Sequence, residues 1–167
     1  MMHPGATAPS RRYPAERFGE VAHLVAHDLG ARVLVTGEDS ERAVAEEVCR
    51  AGGAGCQSLA GELSLAELAA LVEAAPLLIT NNTGPAHMAA ALATPVVDIY
   101  ALTNPQHTPW QVPSRVLSHD VPCRNCFKSI CPAGHNDCIR GIAAADVARA
   151  AHELFVETQH AAARLIA

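Results

Sequence analysis

The run Leu77-Leu78-Ile79-Thr80 constrains this chain more than any other feature. It is short, apolar and uncharged, bounded by Pro76 on one side and by the turn-forming Asn81-Asn82-Thr83-Gly84 on the other. With no polar alternation, a strand of this kind is expected to be buried on both faces, which points to a parallel sheet covered by helices. Pro95 precedes a second such run, Val96 to Tyr100, and the alanine-rich stretch up to Ala93 supplies the helix between them.

The remainder repeats the same alternation. Phe18, Val21, Leu24, Val25 and Leu29 recur at helical spacing between Pro14, suited to a first turn, and Gly30, suited to a C-cap. Arg32-Val33-Leu34-Val35-Thr36 reads as a strand, Ser40 to Arg50 as a helix stopped by Gly52-Gly53, and Ser58-Leu59-Ala60 as a short strand. Ser64-Leu65-Ala66-Glu67 is a capping-box pattern opening a third helix, with Leu65, Leu68, Leu71 and Val72 expected to face inward. Strand and helix alternating through short connections predict an α/β fold, a Rossmann-like parallel sheet with helices on both faces, in a single domain over residues 1–167. Regularity fails within 101–142, a segment rich in cysteine and proline (Pro105, Pro109, Pro113, Pro122, Pro132). A loop that long is usually functional. A closing helix is expected from Ala143 to Thr158, with Val147, Ala151, Leu154 and Phe155 on one face.

Composition excludes several classes. A formal charge of −5, with Lys128 the sole lysine and no basic cluster, argues against nucleic-acid binding. The longest apolar stretch, Leu63 to Ile79, is broken by Glu67, Glu73 and Pro76 and is too short and charged for a transmembrane segment. The start, Met1-Met2-His3-Pro4-Gly5, lacks the pattern of a secretory signal, so a reducing cytoplasm is expected, where the six cysteines serve as thiols or metal ligands.

Three segments carry candidate chemistry. In Thr80-Asn81-Asn82-Thr83-Gly84-Pro85-Ala86-His87, a helix starts just beyond the carboxyl end of a strand, where unpaired N–H groups and the helix dipole favour an anion. Gly84 permits close backbone approach to a phosphate, Thr83 offers a hydroxyl, and His87 lies one turn on. The alternative is an ordinary capped turn in which Asn82 or Thr83 is only an N-cap and His87 packs on the sheet. His3-Pro4-Gly5-Ala6-Thr7 followed by Arg11-Arg12-Tyr13-Pro14 has the parts of a phosphate clamp, against the alternative of a solvated terminus. In Gly37-Glu38-Asp39-Ser40-Glu41, a carboxylate stands where a ribose could be held, or serves as a first-turn acid complementing a helix dipole.

Cys123, Cys126, Cys131 and Cys138 have the spacing C-x2-C-x4-C-x6-C, with His135 between the last two. Four thiols so close together suit a tetrahedral structural zinc that staples an irregular loop, and an iron–sulfur cluster would use the same thiolates. The alternative is a set of reduced thiols supporting the loop. Cys49 and Cys56 are isolated in sequence and expected to pack as small apolar residues.

Taken together, these segments resemble glycosyltransferase family 9, the lipopolysaccharide heptosyltransferases. The resemblance is carried by His3 to Thr7 with Arg11 to Pro14, by Leu59-Ala60-Gly61 with Ser64-Leu65, and by Ile79 to Ala91. It continues through Thr94-Pro95-Val96-Val97, Leu102-Thr103-Asn104-Pro105 and the Cys123 to Cys138 segment. It implies one half of a GT-B architecture, the C-terminal half that binds the sugar nucleotide, with no catalytic residue inherited because the family's aspartate belongs to the other half. Donor contacts follow: Thr83, Gly84 and His87 at the diphosphate, Asn82 in the same donor pocket, Arg11 where the family often has lysine, and Thr7 beside it. Glu41 falls to the ribose, and the backbone around Leu63 and Ser64 to the adenine. Asn82 stands where the family usually has aspartate, which removes a charge from the pocket.

The resemblance implies an inverting transferase using a nucleotide-diphosphate sugar, ADP-heptose, and a lipid-linked acceptor engaged by the other half. It also implies a cytoplasmic place, peripheral at the inner face of the inner membrane. No cofactor is needed for transfer, and zinc would be structural. This chain alone is expected to be inactive. The rivals are another GT-B sugar-nucleotide enzyme, such as a 2-epimerase, and a stand-alone nucleotide- or metal-binding module.

Overall fold

The computed structural model describes residues 1–104 and 106–166, with side chains as far as residue 161. Pro105, part of the Leu102–Pro105 motif, lies outside the described residues. The strands are β1 (Met2–His3), β2 (Val33–Val35), β3 (Cys56–Ser58), β4 (Leu78–Asn81), β5 (Val96–Ile99) and β6 (Ser114–Leu117). The helices are α1 (Ala15–Leu29), α2 (Arg42–Gly52), α3 (Leu65–Ala74), α4 (Gly84–Ala91), α5 (Asp137–Arg140) and α6 (Ala144–Ile166). The strands form one parallel sheet in the order β3-β2-β1-β4-β5-β6. That is the Rossmann order, with the chain switching direction across the sheet between β1 and β4.

Alternation along the strands sorts side chains to two apolar layers. Met2, Val35, Ile79, Val97 and Ile99 pack against α1, α2 and α6 through Phe18, Val21, Val48, Val147, Ala151 and Leu154. Leu78 and Val96 face the other way, onto Val72 of α3 and Ala89 of α4. The double burial read from Leu77–Thr80 is observed: β4 is buried along its whole length. Gly30 ends α1 in the left-handed conformation, as its C-cap position requires. Among the described residues no helix is long and apolar enough to cross a membrane.

Four expectations change. The short strand lies at Cys56–Ser58 instead of Ser58–Ala60, because its register against β2 pairs Val33 with Cys56. Leu65 is not inward; it is 72% exposed at the first position of α3, while Val72 carries the burial. The irregular segment contains a strand, β6, which pairs with β5, and the short α5. Cys49 and Cys56 pack against the core as small apolar residues, as expected, but not singly, for their sulfurs meet at 3.0 Å where the end of α2 packs on β3.

Candidate functional site

The switch point is held open by side chains that tie the loop after β1 to the end of β4. Asn81 is fully buried; its Nδ2 donates to the Pro4 carbonyl at 2.6 Å and its Oδ1 accepts from the Tyr13 N–H at 3.1 Å. Tyr13 in turn donates its hydroxyl to the Ile142 carbonyl at 2.9 Å, and burial pushes its pKa up to about 12. Arg12 donates to the carbonyls of Ala6 at 2.7 Å and Thr7 at 3.2 Å, fixing the loop from inside. Of the two arginines read as a clamp, Arg12 is therefore a staple of the loop itself.

These loops, the β2–α2 connection and the starts of α3 and α4 enclose a cavity of about 680 Å³. Six of the expected donor residues line it: Thr7, Glu41, Leu63, Ser64, Thr83 and Gly84. Thr83 is the N-cap residue of α4, yet its side chain does not cap the helix; its hydroxyl donates backwards to the Asn81 carbonyl at 3.4 Å. The ordinary capped turn is thus not what forms, and beyond Gly84 there is open space.

Glu41 is engaged at the start of its helical turn and also borders the cavity. Its Oε2 accepts the Glu38 N–H at 2.9 Å and lies 3.9 Å from His3 Nε2, while the side chain lines the cavity. Gly5 is needed for this approach, since a Cβ there would stand 2.1 Å from Glu41 Oε1. His3 also meets the Thr36 hydroxyl at 3.1 Å, and burial lowers its pKa against the opposing pull of Glu41. Ser64 forms the expected capping box: its hydroxyl accepts the Glu67 N–H at 3.3 Å, and Glu67 Oε2 accepts the Ser64 N–H at 2.8 Å. Its carbonyl accepts the Leu68 N–H at 2.9 Å, so both backbone groups of Ser64 are engaged. The backbone of Leu63 keeps no hydrogen-bond partner among the described residues, and Leu65, Leu68 and Met88 add an apolar wall that the sequence reading had not assigned.

Arg11, Asn82 and His87 do not line the cavity. Arg11 is half-buried and donates to the Asn82 carbonyl at 3.4 Å. Asn82 is buried and turned into the protein: its Nδ2 donates to Asp98 Oδ2 at 3.0 Å and to the His107 carbonyl. Its side chain is therefore a brace behind the turn, outside the lining of the pocket in which it was expected. His87 is exposed, its ring edge-on to that of His107 with centroids 6.5 Å apart. Asp98 escaped the sequence reading, although a lone acid inside the apolar run Val96–Tyr100 was the available signal. Burial raises its carboxyl to about 7 against the pull of Asn82 and Arg11.

The four clustered cysteines converge. Cys123, Cys126, Cys131 and Cys138, with His135, line one cavity of about 20 Å³ beside Ser10 and Thr103. Backbone amides, that of Asn136 first, hold the Cys131 thiol below its ordinary range, whereas burial pushes Cys138 up. Cys123 Sγ lies 3.8 Å from His135 Nε2. Among the described residues no three His, Cys, Asp or Glu side chains stand close enough to hold a metal ion together.

The chain and its architecture have counterparts among known proteins. The chain is 33% identical over 111 residues to lipopolysaccharide heptosyltransferase 2 of Escherichia coli (strain K12), a match covering 64% of this chain and 32% of that protein. A solved glycosyl transferase family 9 protein from Veillonella parvula superposes with a TM-score of 0.81 at 29% identity, covering 93% of this chain and 46% of that one. The solved E. coli ADP-heptose lps heptosyltransferase II superposes with a TM-score of 0.79 at 26% identity, covering 95% of this chain and 46% of that one. This chain thus spans less than half the length of the relatives it matches. With residues 1–136 matching the profile of glycosyltransferase family 9 (heptosyltransferase), the chain belongs to that family.

Proposed function

We propose that this chain is the donor-binding half of an inverting, heptosyltransferase-like glycosyltransferase of lipopolysaccharide core biosynthesis, taking ADP-heptose as its nucleotide-diphosphate sugar. The observation that carries this reading is the open cavity at the β1–β4 switch point, into which Thr83 and Gly84 present the uncapped start of α4. A helix start of this kind attracts a diphosphate, and Arg11, bonded to the Asn82 carbonyl, and His87 of α4 lie outside the cavity lining and would add charge and hydrogen bonding by turning toward the ligand. Thr7, Glu41, Leu63, Leu65 and Leu68 line the same cavity, and in this reading Thr7 serves the diphosphate, Glu41 the ribose, and the Leu63 backbone with the Leu65–Leu68 wall the adenine. The family relative described as an ADP-heptose enzyme supports the choice of nucleotide.

In this reading the half does its chemistry by electrostatics. As the glycosidic bond to the nucleotide breaks, charge grows on the departing ADP, and oriented N–H groups and Arg11 stabilise it. Deprotonation of the acceptor hydroxyl falls to the other half, where a lipid-linked sugar would be engaged peripherally at the cytoplasmic face of the inner membrane. Calorimetric titration with ADP and with adenosine tests the site: ADP should bind more tightly, and equal affinity for the two would remove the diphosphate from the reading.

A structural zinc on Cys123, Cys126, Cys131 and Cys138 belongs to the same proposal. The four cysteines lining one cavity, with backbone amides lowering the pKa of Cys131, support it, although among the described residues the side chains do not stand together as a metal site. Binding would draw the thiols together and fix the segment that packs against Ser10, beside Arg11.

A further inference from the structure

Asp98 is a group the sheet does not need. It shares its face of β5 with Val96, pairs in register with Thr80 of β4 and is 0% exposed. Its Oδ2 accepts from Asn82, while its Oδ1 has no hydrogen-bond partner among the described residues. A carboxyl buried with one oxygen unpartnered is a cost to folding that valine or alanine would avoid. What the carboxyl does hold is Asn82. Both donor contacts of the Asn82 amide are made inside the protein, one to Asp98 and one to the His107 carbonyl. The Asn82 backbone carbonyl is the acceptor for Arg11, and its N–H is bonded to the Ile99 carbonyl at 3.3 Å. Asp98 is thus one residue removed from Arg11 and from the loop whose histidine ring meets His87.

We propose that Asp98 is a positioning residue of the donor site, acting through Asn82 to fix the carbonyl that seats Arg11 and the loop that carries His107. The inference rests on the donor-site reading above. It places a carboxyl directly behind the turn at position 82, where it orients without touching ligand.

The groups facing Asp98 are Arg11 from the turn before α1, Asn82 from the β4–α4 turn, and Tyr100 and the His107 segment beyond its own strand. Arg11, His107 and Tyr100 are common to the wild type and a D98N variant, so the difference between the two proteins isolates Asp98. Its pKa is raised to about 7, so the group stabilises the fold below the ordinary carboxylate range and that contribution is lost as pH rises through 7. D98N keeps the size and an acceptor oxygen but not the charge.

At about pH 8.5, D98N should therefore melt higher than wild type yet bind ADP about tenfold more weakly, because Asn82 is no longer held by a carboxylate and the Arg11 seat is less well fixed. At about pH 5.5, where Asp98 is itself neutral, the two affinities should converge. In an N82A background D98N should cost no further affinity, because the intermediary is gone. An ADP affinity for D98N within about twofold of wild type at the higher pH would overturn the inference. So would an equal penalty at both pH values, a lower melting temperature for D98N at the higher pH, or a penalty that persists with N82A. Wild-type protein that binds no ADP overturns the donor-site reading and this inference with it, whereas tight wild-type binding with an indifferent D98N overturns this inference alone.

Discussion

Arg11 and Arg12 are neighbours in sequence, and a charge count treats them alike, but their hydrogen bonds separate them. Arg12 is committed to two carbonyls of its own loop, and Arg11 has a single long bond to Asn82. A guanidinium held that loosely has donors to give to phosphate oxygens. Arg11→Ala should weaken ADP binding by about 1–3 kcal/mol and adenosine binding much less, measured by calorimetry. Arg12→Ala should instead release the Ala6–Thr7 loop and reduce both affinities together with the melting temperature. If Arg11→Ala lowered ADP and adenosine binding equally, Arg11 would be a second staple and not a phosphate ligand. The same distinction explains why Asn82 was misplaced from sequence: its position in the turn is legible, but the direction of its amide is set by Asp98, sixteen residues away on another strand.

At the scale of elements, local signals that act over one turn of chain were readable. The Ser64–Glu67 box opens α3 as expected, and Gly30 ends α1. Ser64→Ala should lower stability by about 1 kcal/mol in thermal melts, as N-cap removal does. Glu67 is held below its usual carboxylate range by Ser64, so the cap is complete at neutral pH and fails as pH falls through that lowered value; in acid the Ser64→Ala difference should shrink. Elements defined by distant partners were not readable. Met2–His3 has too few residues to show a pattern and is a strand only because β2 and β4 flank it. Ser114–Leu117 follows Pro113 with polar residues and becomes a strand by joining the edge at β5, with Arg115 bonded across to Glu157 of α6 at 2.5 Å. Leu65 obeyed helical spacing, but it stands at the first position of α3, facing the cavity mouth instead of the sheet. In the cysteine segment, spacing foretold convergence and side-chain geometry stops short of a metal site. Protein prepared under metal-replete, reducing conditions should contain about one zinc per chain, and chelation should loosen residues 101–142 before the sheet, read by hydrogen exchange. Metal-free protein with unchanged melting after chelator would leave the thiols as supports of the loop alone.

At the scale of the whole molecule, the sheet order matters more than any single motif. Placing β1 beside β4 brings the loop at residues 4–12 against the start of α4, although nearly the entire chain of three strand–helix units separates them. That adjacency is why motifs far apart in sequence line one cavity, and it was implied by the alternation of strands and helices once the crossovers are right-handed. The cavity is nevertheless open on the side beyond the carboxyl ends of the strands, and the chain covers only 46% of a solved relative. Group transfer needs the acceptor hydroxyl, its base and the sugar's anomeric carbon held together, with water kept out. On the donor-site proposal, the cavity grips only the nucleotide and supplies leaving-group stabilisation, with nothing on the opposite face of the sugar. The 167-residue chain should therefore bind ADP weakly and, with labelled ADP-heptose and a lipid-linked acceptor, transfer no sugar. Adding the other half of a family relative should tighten ADP binding by closing the cleft, and transfer should appear only in the mixture if the two halves dock. Turnover by this chain on its own would mean that the acceptor base lies within residues 1–167 and would sink the half-enzyme reading.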